Sequence, residues 1–268
     1  MKSNLHTHTT RCGHAVGADR DYVEAAIRGG FSVLGFSDHV PWPYASDYRH
    51  PNVRMDVDQL PEYVGTIRAL AKQYEGKLRI LTGFECEYFP AYIPWLKEMA
   101  EAWSLDYLIL GNHYDTSDEV GPYFGGIQSA ALLSRYVTMT LKGLETGLFT
   151  YLAHPDLFLN RWGKPFDEDC RRAARDLCQA CHALGIPMEY NTHMRYEHPN
   201  GRMPGYPNRD FFEIAQAEGV RVSIGIDAHQ PQELSDPHQW DQSLGELEAL
   251  GITPLDLPAL RSFSKARG

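Results

Sequence analysis

The chain alternates short β-type runs with longer helical runs from one end to the other, and this alternation restricts its fold more than any other feature. Runs rich in apolar and β-branched residues predict strands at 2–6, 32–37, 78–85, 107–112, 150–153, 186–191 and 221–226. Helical spacing occupies 19–29, 58–75, 92–102, 128–147, 167–185, 208–218 and 239–250. Strands that alternate with helices in this way form a parallel sheet with helices packed outside it.

Seven strand–helix units favour a closed α/β barrel with one unit fewer than the usual eight, and 268 residues suit a barrel of that size. An open doubly wound sheet is the alternative, but no Gly-x-Gly-x-x-Gly turn follows the first predicted strand. No Pro-, Gly- or Ser-rich linker divides the chain. The sequence therefore predicts a single domain over residues 1–268.

Composition excludes several classes of protein. Hydrophobic residues make up 43% of the chain and charged residues 22%, which is typical of a folded globular domain. The formal net charge of −10 argues against nucleic acid as a partner, because phosphate backbones bind positive surfaces. The first residues form no apolar signal core, and no run of eighteen apolar residues occurs. We expect a cytoplasmic protein without membrane attachment; the sequence leaves its oligomeric state open.

The five cysteines favour free thiols in a reducing compartment, since they are odd in number and the chain is too large to need disulfides. Residues 178–182 match the short Cys-x-x-Cys-His pattern of c-type haem attachment. That segment lies inside a predicted helix, and no export signal accompanies it. We therefore expect these cysteines to pack within the helix.

Side chains that bind metals stand at the carboxyl end of nearly every predicted strand. Parallel strands bring these ends to one face, where barrel enzymes carry their chemistry. His6 and His8 are also spaced so that both point to one side of an extended segment. The candidate ligands at this edge are His6, His8, His14, His39, Glu85, His113, His154, Asp227 and His229.

The size of this set predicts more than one ion. A single zinc ion takes three or four ligands, so nine candidates are enough for two or three metals with a carboxylate such as Glu85 bridging them. Imidazole and carboxylate ligands suit zinc, iron or manganese, and the sequence does not choose among these.

The order of the motifs resembles the polymerase and histidinol phosphatase (PHP) superfamily, most closely its histidinol phosphatases. The resemblance extends from residue 4 to about residue 230. Its motifs are His-x-His at 6–8 with His14, Ser-Asp-His at 37–39, the isolated Glu85, Gly-Asn-His at 111–113, Ala-His-Pro-Asp at 153–156 and Asp-Ala-His at 227–229. The resemblance implies a distorted seven-stranded barrel and a trinuclear metal centre.

The same resemblance implies how the ligands divide among three metals. The first set is His6, His8, Glu85 and Asp227; the second is Glu85, His113 and His154; the third is His14, His39 and His229. The family's phosphatases also bind the phosphoryl group with arginines, and Arg161 and Arg195 occupy similar places after predicted strands. Arg202 competes with Arg195, because the loop from Thr192 to Tyr206 is long and carries His193-Met194 where the family usually has Ser-Gly.

The chemistry expected of such a site is hydrolysis of a phosphate ester. Metal ions lower the pKa of bound water from 15.7 to about 7 and clamp the oxygens of an anionic substrate. We expect in-line attack by a metal-bridging hydroxide without a phosphoenzyme. Asp38 would orient a histidine ligand or protonate the leaving group, and orientation is the favoured role.

The substrate that the resemblance implies is L-histidinol phosphate, whose amine and imidazole need acidic or aromatic neighbours. Candidates in the strand-end loops are Trp42, Tyr44, Glu87, Tyr114 and Asp156. A phosphoesterase for another small phosphomonoester or nucleotide is the main alternative. A nuclease is disfavoured by the negative charge, a classical amidohydrolase by the lack of a strand-end lysine, and a non-catalytic metal-binding protein by the complete ligand set.

Overall fold

The computed structural model describes residues 1–197 and 205–263, and in this part of the chain the predicted α/β alternation is confirmed. Four parallel strands form one sheet in the order β1-β2-β3-β4: β1 (Ser3–Asn4), β2 (Val33–Phe36), β3 (Arg79–Cys86) and β4 (Tyr107–Leu110). Two further parallel strands pair with each other: β5 (Met188–Asn191) and β6 (Val222–Gly225). Six of the seven predicted strands are therefore present, each shorter than or close to its predicted length.

The structure has no regular strand at 150–153, where the sequence predicted the fifth strand. Leu152 alone forms β-bridges there, to Leu110 on one side and to Met188 on the other. The segment is short and turns at His154, whose φ of 27° takes the backbone out of the extended region. The count of seven strands is thus not confirmed, although this segment joins the two sheets.

The sheet curls until its first and last segments meet. Thr7 forms a parallel bridge with Ala228, and the His8 amide donates to the Ala228 carbonyl oxygen at 2.9 Å. The side-chain oxygen of Asn4 accepts from the Ile226 amide at 2.8 Å, which ties β1 to the chain after β6. The fold is therefore α/β with a strongly curled parallel sheet.

Helices follow the strands, as amphipathic spacing predicts. Side-chain caps mark several helix starts: Asp167 accepts from the Cys170 amide at 3.1 Å, and Asn208 accepts from the Phe211 amide at 3.2 Å. The bounds are α1 (Asp19–Arg28), α2 (Leu60–Gln73), α3 (Ile93–Ala102), α4 (Ala130–Glu145), α5 (Glu168–Leu184), α6 (His193–Glu197), α7 (Arg209–Ala217), α8 (Pro231–Ser235) and α9 (Pro237–Ala249). Among the described residues, no helix combines the length and apolar character needed to cross a membrane.

The cysteines of the haem-like pattern pack inside α5, as predicted. Cys178 and Cys181 are fully buried, and burial raises the pKa of the Cys181 thiol to about 12. All five cysteines are free and buried. They contribute to the core as small apolar side chains.

A small cluster of buried side chains fills the concave side of the sheet. Its main members come from adjacent strand segments and are Leu5, Val33, Leu81, Tyr107, Ile109 and Tyr151. The Tyr107 hydroxyl donates to the Leu5 carbonyl oxygen at 2.7 Å. Gly35 leaves the space for this ring, since a Cβ there would lie 2.3 Å from the Tyr107 hydroxyl oxygen. The barrel-like interior is thus packed with side chains and supports the site above it.

Candidate metal centre

The carboxylate of Glu85 lies at the centre of the predicted ligand set. It stands near the end of β3, and each of its oxygens faces a different group of histidines. Its Oε2 lies 3.4 Å from His6 Nε2 and 3.5 Å from His8 Nε2. The same oxygen lies 3.1 Å from His39 Nδ1. A carboxylate placed in this way can bridge neighbouring cations.

The other oxygen of Glu85 faces a second group. Glu85 Oε1 lies 2.7 Å from His154 Nε2 and 3.4 Å from His113 Nε2. The two oxygens therefore divide the surrounding histidines into separate groups, one on each side of the carboxylate.

Asp227 completes the group around His6 and His8. Its Oδ1 lies 3.3 Å from His6 Nε2 and 3.1 Å from His8 Nε2. The φ of Asp227 is 56°, so the chain turns sharply at this position, as it does at His154. Non-glycine residues in this conformation cost of order 1–3 kcal/mol and are concentrated at functional sites.

A third group lies beside the first two. The ligand atoms of His14, His39 and His229 lie within 4.8 Å of one another. His229 Nε2 is 2.9 Å from His14 Nε2, and the His8 and His229 rings stack with their centroids 4.2 Å apart. The structure thus brings all nine predicted ligands together at one end of the curled sheet.

The site opens into a cavity of about 300 Å³. Five of the predicted histidines and both carboxylates line it, together with aromatic side chains, Asn52 and Val53. The additional lining residues include Tyr114, Tyr123, His193 and Tyr206. A cavity of this size suits a small molecule.

Glu189 contacts the Nδ1 side of the His6 ring, and it was not among the site residues predicted from the sequence. His6 Nδ1 lies 3.0 Å from Glu189 Oε1, and the amide of His154 donates to Glu189 Oε2 at 3.1 Å. Asn191 Nδ2 donates to Glu189 Oε2 at 2.8 Å and to Asp227 Oδ2 at 3.1 Å. The available signal was a charged residue inside an apolar strand, because a buried carboxylate needs partners.

Two other carboxylates face the outer nitrogens of ligand histidines. Asp38 is fully buried, its Oδ1 lies 3.4 Å from His8 Nδ1, and it accepts from the His39 amide at 3.1 Å. Glu87 Oε1 lies 3.3 Å from His113 Nδ1. Such partners set the tautomer and the orientation of a metal-binding imidazole.

Charges within the cluster shift the pKa values of its members. Burial opposes the charged form, but the surrounding imidazoles, led by His113, hold the pKa of Glu85 well below its usual value. Burial lowers the pKa of His39 and of His229 well below the usual value, so both rings are neutral near pH 7. Burial disfavours charge on His6 as well, yet Asp227 and Glu189 raise its pKa well above normal. Cation binding at His6 would therefore release a proton.

The donor set fits divalent cations. His6 Nε2, His8 Nε2, His39 Nδ1 and Asp227 Oδ1 are buried and lack a hydrogen-bond partner within the described ranges 1–197 and 205–263. Buried polar atoms are normally satisfied, so several converging unsatisfied atoms indicate ligands for an ion. Imidazole with carboxylate is the chemistry of zinc, iron and manganese sites. The protein thus contains residue groups that can hold divalent metal ions.

The predicted arginines lie in different surroundings. Arg161 is exposed and lines a neighbouring cavity with Trp162 and Lys164. Burial raises the pKa of Tyr123, and the Arg161 guanidinium opposes that rise, so this cation lies near the wall of the metal cavity.

Arg195 is not brought into the metal cavity. Its guanidinium pairs with Glu246 and donates to the Tyr190 hydroxyl at 2.8 Å and to Ser243 Oγ at 3.0 Å. The acidic partner on α9 satisfies the arginine away from the ligands, and nothing in its sequence neighbourhood predicted this. Arg202 lies outside the described residues.

The residues predicted to contact the substrate also lie in different surroundings. Tyr114 lines the metal cavity. Trp42 donates its Nε1 hydrogen to Glu87 at 2.9 Å, and Tyr44 donates to Asp118. Asp156 is fully buried and accepts from the Asn208 amide at 2.7 Å. Tyr114 therefore faces the cavity, whereas the others already have protein partners.

Comparison with known proteins identifies the family. The model of the PHP domain matches residues 4–193, most of the chain. The chain belongs to the PHP domain family. A protein of Deinococcus radiodurans named "Probable histidinol-phosphatase" is 31% identical over 242 residues, covering 85% of this chain and 86% of that protein. The "Histidinol-phosphatase" of Bacillus subtilis is 30% identical over 257 residues, which cover 86% of this chain and 94% of that protein.

A solved structure has the same fold. The histidinol phosphate phosphatase of Lactococcus lactis, complexed with zinc, L-histidinol and phosphate, superposes with a TM-score of 0.73. The match covers 98% of this PHP domain protein and 97% of that chain at 17% identity. At this identity the likeness establishes the curled α/β fold.

Proposed function

We propose that this protein is a metal-dependent phosphomonoester hydrolase that converts L-histidinol phosphate and water to L-histidinol and phosphate. The observation that carries the proposal is the convergence of nine candidate histidine and carboxylate ligands, with Glu85 at their centre, at the end of the curled sheet beside one small cavity. The relatives in D. radiodurans and B. subtilis named for histidinol-phosphatase activity support the substrate.

The proposed centre holds two or three ions of zinc, manganese or iron. The contacts of the two Glu85 oxygens, the position of Asp227 and the separate histidine group support three sets of ligands. These sets are His6, His8, Glu85 and Asp227; Glu85, His113 and His154; and His14, His39 and His229. The zinc in the related structure from L. lactis supports zinc as the first metal to test.

When bound, such ions supply a nucleophilic water at neutral pH and neutralise the charge on the phosphoryl oxygens. Glu85 spans the groups and keeps their spacing fixed. Asp38 orients His8 from behind, and its complete burial supports this role over that of a proton donor. Arg161 is the arginine proposed to reach the phosphate, because it lies near Tyr123 at the cavity wall. Arg195 would need to leave Glu246 to do so.

We further propose a single domain with a distorted seven-stranded barrel, in which residues 150–153 act as the fifth strand. The backbone bonds from the Ala153 amide to the Leu110 oxygen (2.9 Å) and from the Glu189 amide to the Leu152 oxygen (2.9 Å) support this count. The proposed partner is a small phosphorylated substrate, and the net charge of −10 supports a protein that does not bind nucleic acid. A cytoplasmic location follows from the biosynthetic substrate.

The test is phosphate release from L-histidinol phosphate and from a panel of other phosphomonoesters, using protein reconstituted with zinc, manganese or iron. We expect a clear preference for histidinol phosphate that is lost in His8→Ala and Glu85→Ala. Arg209→Met is the control, because this exposed residue of α7 pairs with Glu213 one turn further along the helix. Equal or better turnover of another ester would reject the substrate, and no turnover of any ester by metallated protein would reject the hydrolase.

A further inference from the structure

Arg54 brings a positive charge into the protein interior beside the metal centre. Its side chain is 1% exposed. Nη2 lies 2.9 Å from Glu87 Oε1, and Nη1 lies 3.3 Å from Glu87 Oε2, so the two groups form a paired fork. Within residues 1–197 and 205–263, Arg54 is the one arginine or lysine that pairs with Glu87.

The same guanidinium joins three loops that carry proposed ligands. Nη1 donates to the Val40 carbonyl oxygen at 2.9 Å, directly after His39. Nε donates to Asp118 Oδ2 at 2.9 Å, in the loop that follows His113. The Glu87 fork reaches the loop after Glu85. A single side chain therefore connects the ends of β2, β3 and β4.

Glu87 links Arg54 to His113, one of the proposed ligands. One of its oxygens accepts from Arg54 and also lies 3.3 Å from His113 Nδ1, while His113 Nε2 faces Glu85 at 3.4 Å. The other oxygen accepts from Trp42 Nε1 at 2.9 Å. Because Arg54 and Trp42 fix the carboxylate, the acceptor for the His113 Nδ1 hydrogen has a defined position. An imidazole that donates its Nδ1 hydrogen to this acceptor presents an unprotonated Nε2 to the centre.

We propose that Arg54 is a positioning residue of the metal centre, which acts through Glu87 to hold His113 in its ligating tautomer and orientation. The proposal rests on the metal centre of the proposed function, and it deepens that function without requiring the substrate to be histidinol phosphate. It predicts that Arg54 controls metal affinity at the Glu85–His113–His154 group from outside the set of ligands.

The test compares metal affinity in Arg54→Met, Arg54→Lys and wild-type protein by competition with a chromophoric zinc chelator, without substrate. We expect Arg54→Met to lose about 10- to 100-fold in affinity at one of the sites, the usual effect of removing such a partner. Arg54→Lys keeps the charge but not the fork, and we expect it to restore part of the loss.

A stability control separates positioning from simple loss of structure. Leu247→Ala removes a fully buried side chain of α9 and touches none of the ligands. It should lower the melting temperature while leaving zinc affinity as in the wild type. Equal loss of affinity in Leu247→Ala and Arg54→Met would overturn the proposal, as would wild-type affinity in Arg54→Met.

The route through Glu87 has its own test. If Arg54 acts through this carboxylate, then adding Arg54→Met to Glu87→Gln should cause little loss of zinc affinity beyond that of Glu87→Gln alone. Fully additive losses would overturn this route. The outcome is distinguishable from failure of the proposed function, since a protein that binds zinc through Arg54-dependent sites but releases no phosphate would retain this proposal and reject the hydrolase.

Discussion

Replacing Gly111 with alanine should displace the carboxylate of Glu85, the proposed bridging ligand, without replacing any of the nine candidate ligands. Gly111 follows β4, and a Cβ at this position would lie 1.9 Å from Glu85 Oε1 and 2.6 Å from its Cδ. Ordinary van der Waals contact begins near 3.4 Å, so the carboxylate or the backbone must move by about 1.5 Å. Glu85 is buried and both of its oxygens are engaged, so it has little room to move elsewhere.

Two magnitudes follow from that displacement. Forcing an extra methyl into a packed interior costs about 1–3 kcal/mol, which corresponds to a fall in melting temperature of about 2 to 12 °C for a chain of this size. Moving a group in the active site by about 1 Å can lower the rate 100-fold. We therefore expect Gly111→Ala to lose at least about 100-fold in phosphate release, together with weaker zinc binding.

Gly65→Ala provides the matched control. Gly65 lies inside α2, where a Cβ would meet nothing within 4 Å, so alanine should stabilise the helix by about 0.5–1 kcal/mol and leave the site unchanged. The assays are zinc content, thermal unfolding and phosphate release on both variants. Wild-type zinc content and turnover in Gly111→Ala would refute the reasoning about Glu85.

Three further predictions concern the supports of the fold and site. Glu189→Gln keeps the size but removes the charge facing His6 Nδ1, so zinc affinity measured by chelator competition should fall about 10- to 100-fold; unchanged affinity would contradict the role of Glu189. Asp167→Ala removes the cap of α5 and should cost about 0.5–2 kcal/mol in urea unfolding at pH 7. Burial opposes the charge of Asp167, but the Cys170 amide lowers its pKa below the usual 3.8. Its stabilisation should thus be present above pH 3.8 and disappear as the pH falls through the lowered value; an equal deficit at pH 7 and at strongly acidic pH would contradict this assignment. Stripping the metals with a chelator should lower the melting temperature, since ions at 100 times their Kd stabilise a folded protein by about 2.7 kcal/mol; an unchanged melting temperature would argue against a site formed only on folding.

The α/β architecture and the clustering of the nine candidate ligands were predictable because both depend on local patterns. Alternating strand and helix periodicity predicted six of the strands and the parallel sheet, and parallel strands necessarily bring their carboxyl ends to one edge. Residues as distant as His6, Glu85 and His229 could therefore be placed together from their positions after strands. The count of seven strands was not confirmed, because local propensity does not say how many residues complete a ladder, and here Leu152 alone forms β-bridges before the chain turns at His154.

The partners behind the ligands were not predictable in the same way. Glu189 and Arg54 meet His6 and Glu87 only because strands and loops distant in the chain are packed together. Arg195 shows the reverse case, since its place after a strand suggested a phosphate contact whereas α9 supplies Glu246 as its partner. The sequence by itself determined which types of side chain lie at the end of the sheet, because each residue's type and its position after a predicted strand can be read locally along the chain. Only the tertiary structure decided which charged side chains pair, because their partners are residues that are distant in the chain and come together on folding.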